Sequence, residues 1–150
     1  MTQLQGLALK AATVLWVIWG AVHVLAGIMV MTSDTAGGLS AIADGVDAAL
    51  FTGDYHPAIG GVLNQHGWNL LWFGGVTLVG SVMIWRKNMT AIWVTGMVAG
   101  LADLGYLVFV DLPGYVNFIP GTVMTFISGA AIILSFWVWL SHRKTAPSAL

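Results

Sequence analysis

His23 and Asp103 carry ionisable side chains inside long apolar runs of this chain, and His66 stands at the edge of another run. A charge within a bilayer costs roughly 2.5–3.5 kcal/mol on insertion scales, so such a group must pair, neutralise or face water. A His–Asp pair in a dry helical bundle can hold and release a proton near neutral pH, where imidazole ordinarily titrates. Proton-linked binding or transfer is the first chemistry these two residues suggest. Asn69, Thr125 and Ser128 add hydroxyl and amide groups able to orient a ligand.

Other chemistries fit less well. Ser128, His23 and Asp103 have the residue types of a nucleophile, a base and an orienting acid, but no oxyanion-hole or nucleophile-elbow motif accompanies them. Two histidines and one aspartate could supply three metal ligands, yet they come from three separate runs and lack a ligand spacing such as H-x-x-x-H. Axial ligation of haem by His23 and His66 is disfavoured by their different depths. Beside these stands a purely structural reading, in which a His23–Asp103 hydrogen bond removes the cost of burying Asp103 and does nothing more. For His66, beside water at a span end, the structural reading carries more weight than the functional one. His56 and His142 lie outside the apolar runs and read as surface residues.

The elements that would position these groups are transmembrane helices. Hydrophobic residues make up 58% of the 150 positions and charged residues 7%, too apolar for a soluble domain and too short for more than one bundle. Four runs, 11–31, 67–85, 89–110 and 120–140, each match the roughly 20 residues that a helix needs to cross hydrocarbon. Backbone groups in lipid must be satisfied within the segment, and the polar alternation of an outer-membrane barrel is absent, so the expected fold is an all-α, four-transmembrane-helix bundle forming one domain. The first run lacks a small-residue cleavage site and is longer than a signal-peptide core, so it reads as a retained span.

Charge sets the expected topology. All five cationic residues, Lys10, Arg86, Lys87, Arg143 and Lys144, flank the runs at alternate ends only. By the positive-inside rule both termini and the 86–88 turn face the cytoplasm, with a bacterial inner membrane as the working location. Loop 32–66 then lies on the outer face. Within it Leu39, Ile42, Val46, Ala49 and Leu50 recur at helical spacing, which predicts an amphipathic helix, either a cap over the helix ends or a lid over the bundle's mouth. His56-Pro57 reads as a break, and Ala58–Gln65 as either a re-entrant turn or an outward extension of the second span. Trp68, Trp85, Trp93, Tyr115, Trp137 and Trp139 sit near span ends, as interfacial anchors do. The tail 141–150 reads as disordered.

Depth and helical phase bring the polar groups together. In the first span Gly20, His23 and Gly27 share a face, and in the third Gly96, Gly100 and Asp103 repeat that arrangement. Small residues let a neighbouring helix approach closely. At 1.5 Å per residue, His23 and Ser128 lie about 12 Å, and Asp103 about 10 Å, below the outer ends of their spans. The expected result is a polar cavity opening outward, with His66 and Asn69 at its entrance, Thr125 deeper, and His23, Asp103 and Ser128 at its floor.

Several classes are excluded or weakened. Net charge is −1 without a basic stripe, which argues against nucleic acid. Cysteine is absent, removing disulfide, thiolate and iron–sulfur chemistry. Nucleotide-binding loops and paired catalytic carboxylates are not found, so no cofactor, metal or enzymatic reaction is named by a motif. The leading expectation is a small membrane protein whose His/Asp pocket binds an apolar or amphipathic small molecule, or a proton. An alternative is an accessory subunit of a larger membrane complex, docking a partner or a second copy through its glycine faces. A membrane oxidoreductase or other enzyme is third. Beyond such a partner, the lipid bilayer is the expected surrounding.

Overall fold

In the computed structural model, which describes residues 1–145, the chain is all helical, with four helical segments long and apolar enough to cross a membrane. Helix α1 spans Gln3–Thr32. It begins on a capping box, in which the Thr2 hydroxyl accepts from the Gln5 amide at 3.2 Å and the Gln5 side chain accepts from the Thr2 amide at 2.8 Å. Helix α2, Thr35–Ile42, starts where the Asp34 carboxylate accepts from the Gly37 amide at 2.7 Å. A single 3₁₀ turn, Ala48–Phe51, follows it, so the helical spacing read from Leu39 to Leu50 is divided between two short elements.

Helix α3 spans Pro57–Trp85, starting ten residues before the apolar run that marks it in the sequence. Of the two readings of 58–65, the structure takes the extension. The physical reason is local: Pro57 occupies the first helical turn, where its missing N–H costs nothing, and His56 Nδ1 accepts from the Ala58 amide at 3.2 Å. Polar Asn64, Gln65 and His66 therefore lie on helix although hydropathy falls there. The turn to α4, Met89–Tyr106, places Lys87 at φ 64° and lets the Asn88 side chain cap the Thr90 and Ala91 amides.

Beyond Tyr106 the helix widens into an i→i+5 turn, Leu107–Asp111, and a second wide turn, Phe118–Thr122, leads into α5, Val123–Thr145. Pro120, expected in the first turn of the fourth span, lies in that wide turn behind a cis peptide bond. Thr122 donates to Asp111 at 2.7 Å, joining the two turns. At the C-terminal end α5 continues through Thr145, past the Ser141 boundary of the expected tail; the remainder of that tail lies outside the described residues.

The long helices form a ring, with α1 packed on α3 and α5, and α4 packed on the same two. Trp16, Trp19, Ile84, Ile92, Ala99, Ala131 and Val138 fill its centre. Phe109, Phe126, Ile133 and Val79 on the outer surface are well exposed, as side chains turned to lipid would be.

Candidate functional site

Backbone meets backbone at the α1–α3 seam, and this close approach frames the site. A Cβ on Gly27 would fall 2.5 Å from the Gly67 carbonyl oxygen, and one on Gly20 would fall 2.9 Å from that of Gly74. The contacts are reciprocal, Gly67 against Gly27 and Gly74 against Gly20, so two glycines seven residues apart on each antiparallel helix bring the backbones together. His23 stands between the two contact points.

Geometry fixes the His23 ring. Its Nδ1 is 2.8 Å from the Trp19 carbonyl oxygen, and the ring stacks on the Trp19 indole with centroids 3.6 Å apart and planes 18° from parallel. A carbonyl can only accept, so Nδ1 carries the proton. The neutral ring therefore presents a lone pair on Nε2, and that atom points across the bundle to Asp103 Oδ1, 3.9 Å away.

Asp103 is reached through the α4–α5 seam. On α4, Gly96 receives the Phe136 ring and Gly100 receives Ile132, and one turn further Asp103 meets Ser128 of the same α5 face. Ser128 donates to Asp103 Oδ2 and also lies 3.1 Å from the Thr125 carbonyl. Asp103 is only 5% exposed at its side chain and His23 14%, so both groups are nearly enclosed. The fully buried Trp19 indole N–H neighbours the Asp103 carboxyl without completing a hydrogen bond. The 3.9 Å gap between Nε2 and Oδ1 is too wide for a direct hydrogen bond. Two acceptors face one another there unless a proton resides on one of them or a third group bridges them.

A cleft of about 110 Å³, open to solvent, leads from this pair toward the end of the bundle that carries the 33–56 loop. Val22, Ala26, Leu70 and Met124 form apolar walls, His66 stands on α3, and Tyr106, Pro120 and Gly121 close the α4–α5 side. Ala41, Ile42 and Asp44 reach over it from the loop. The loop is held by a clasp to the 112–118 segment. Asp44 Oδ1 accepts from the Asn117 amide, and the Asn117 side chain donates to the Asp44 carbonyl, both at 2.8 Å. The Gly45 amide donates to the Tyr115 carbonyl at 3.0 Å, and a Cβ at Gly45 would strike the Val116 backbone at 2.8 Å.

Of the residues singled out in the sequence, His23, Asp103 and His66 line the cleft, and Ser128 touches it through Asp103. Asn69 lies elsewhere: its side chain accepts from the Trp72 indole at 3.2 Å. The buried Thr125 hydroxyl has no hydrogen-bond partner and does not border the cleft. Asp44, Tyr106 and Trp19 were not anticipated. Trp19, at i, i+4 to His23, and Tyr106, at i, i+3 from Asp103, had a sequence signal. Among the described residues no group of three His or carboxylate side chains converges in a way that could hold a metal ion.

Compared with protein-family models, curated proteins and solved structures, the chain matches none. The site therefore stands on its geometry: a helical bundle with four membrane-length apolar helices, a nearly enclosed His–Asp pair and a mostly apolar cleft above it.

Proposed function

We propose that the chain is a small integral protein of a bacterial inner membrane, with both termini cytoplasmic, whose outward-facing cleft binds an apolar or amphipathic small molecule, or a proton, at His23 and Asp103. The observation that carries this reading is the junction of the His23–Asp103 gap with the floor of an apolar-walled cleft. A pair serving stability alone would close to hydrogen-bond distance and be packed over. Here the two groups stand 3.9 Å apart at the floor of an apolar-walled cleft of about 110 Å³.

The orientation rests on charge. Lys10, Arg86 and Lys87 lie at the end of the bundle opposite the cleft, and the positive-inside rule places that end in the cytoplasm. The cleft then opens on the outer side, with α2 and the 3₁₀ turn as an amphipathic cover. Docking of a partner through the Gly96–Gly100 face receives less support, because Phe136 and Ile132 of the same chain occupy that face.

The test is gentle purification from native membrane, with mass and absorbance spectra of any co-purifying species. A bound molecule present in the wild type and lost in His23→Ala and Asp103→Asn is the expected result. Retention of the same molecule in both variants would overturn the assignment of the site.

A further inference from the structure

Both ends of this chain's charge distribution bear on what the cleft takes. All six acidic residues are aspartates, and Asp34, Asp44, Asp47, Asp54 and Asp111 belong to the loop end while Asp103 lies beneath it. Among the described residues no Lys or Arg borders the cleft, whose ionisable residues are His23, His66, Asp44, Asp103 and Tyr106. Lys10 is thirteen residues from His23 along α1, about 20 Å at 1.5 Å per residue. Nothing there would hold a phosphate, carboxylate or sulfonate, whereas the field of the aspartates concentrates cations at the mouth.

The floor is more specific than its sign. His23 Nε2 is a lone pair, because Nδ1 is committed to the Trp19 carbonyl. Asp103 has Oδ2 engaged by Ser128 and turns Oδ1 to His23, with the Trp19 indole N–H as the carboxyl's other polar neighbour. A protonated His23 bonded directly to Asp103 would close to about 2.7–2.9 Å, the range of charge-assisted hydrogen bonds. At 3.9 Å the two acceptors instead leave a seat for one atom at ordinary hydrogen-bond distance, about 2.9 Å, from each. With Asp103 ionised and His23 neutral, that atom must donate twice. An alcohol has one proton to give and an ether or ketone none, whereas water and an ammonium group can each give two, and of these only the ammonium also brings the charge.

Resting on the binding reading above, we infer that the ligand class is a lipophilic primary or secondary amine in its ammonium form, its nitrogen seated between His23 Nε2 and Asp103 Oδ1. Its hydrocarbon part runs along Val22, Ala26, Leu70 and Met124. The ammonium supplies both the two N–H donors and the positive charge that the buried carboxylate otherwise lacks.

The experiment compares n-decylammonium, decyltrimethylammonium and decanol by calorimetry, with the full chain in zwitterionic phosphatidylcholine nanodiscs and empty nanodiscs as the blank. Saturable binding of decylammonium, at least tenfold tighter than either other probe and weakened at least tenfold in Asp103→Asn, is the expected result. Histidine side-chain ¹⁵N spectra of the wild type give a readout free of any folding defect in the variant: decylammonium shifts His23 Nε2 and decanol does not. Decanol binding as tightly as decylammonium, with both dependent on His23 and Asp103, overturns the amine inference and leaves the pocket standing. Equal binding of the trimethylammonium probe also overturns it, since charge without N–H donors would then suffice. Absence of saturable binding by all three overturns both the inference and the binding reading.

Discussion

His23 Nδ1 donates to the Trp19 carbonyl one helical turn before it, at 2.8 Å, while the two rings stack. One contact thus settles which nitrogen faces Asp103. The neutral ring is expected to be the Nδ1–H tautomer, with an unprotonated Nε2, and side-chain ¹⁵N shifts of histidine-labelled protein report this directly. A protonated Nε2 beside a bare Nδ1 would mean that the Trp19 contact does not orient the ring, and the double-acceptor floor would go with it.

Helix α1 meets α3 backbone to backbone at Gly20, Gly27, Gly67 and Gly74, so these positions should be intolerant of even one methyl. Gly27→Ala is expected to destabilise by about 1–3 kcal/mol, as overpacking does. Gly75 of α3 has open space where a Cβ would stand, and Gly75→Ala should be neutral or stabilising by up to about 1 kcal/mol through helix propensity. Reversible unfolding in mixed micelles distinguishes the two. Similar stabilities for both variants would show that the seam is not the close contact described.

Much of this arrangement is legible in the sequence, for reasons that differ residue by residue. The long helices follow from run length. The approach of His23, Asp103 and Ser128 follows from depth and phase, because each lies on a face that also carries small residues. Gly67 and Gly74 were equally readable, since their seven-residue spacing mirrors that of Gly20 and Gly27. The start of α3 at Pro57 was not, because hydropathy falls over Asn64–His66 while the helical hydrogen bonding continues. Asp44 enters the cleft through loop docking, a tertiary event without a local pattern, whereas Tyr106 ends α4 one turn beyond Asp103. Asn69 had the right depth, but its amide turned to Trp72, a nearer partner on its own helix.

Ser128 donates a side-chain hydrogen bond to Asp103 across the α4–α5 seam, so the two should be energetically coupled. In a double-mutant cycle of Ser128→Ala and Asp103→Asn, the coupling is expected near 1 kcal/mol, within the range for side-chain hydrogen bonds between membrane helices. Steric-trap or micelle unfolding measures it. Additive effects of the two substitutions would show that the hydroxyl makes no net contribution to holding the carboxyl.

The clasp of Asp44 on Asn117 ties the 33–56 loop across the cleft, and its removal should open access without weakening the helix seams below. The chain has no cysteine, so a single Ala26→Cys places one thiol on the cleft wall against a silent background. Alkylation of that thiol by a membrane-impermeant maleimide is expected to be several-fold faster when Asp44→Ala is added, because the Asn117 amide then loses its carboxylate acceptor. Thermal unfolding should change little, since Asp44 touches none of the four glycine contacts that join α1 and α3. An unchanged alkylation rate would mean that the loop does not control entry, and that ligands reach His23 and Asp103 by another way, laterally between the helices from the lipid.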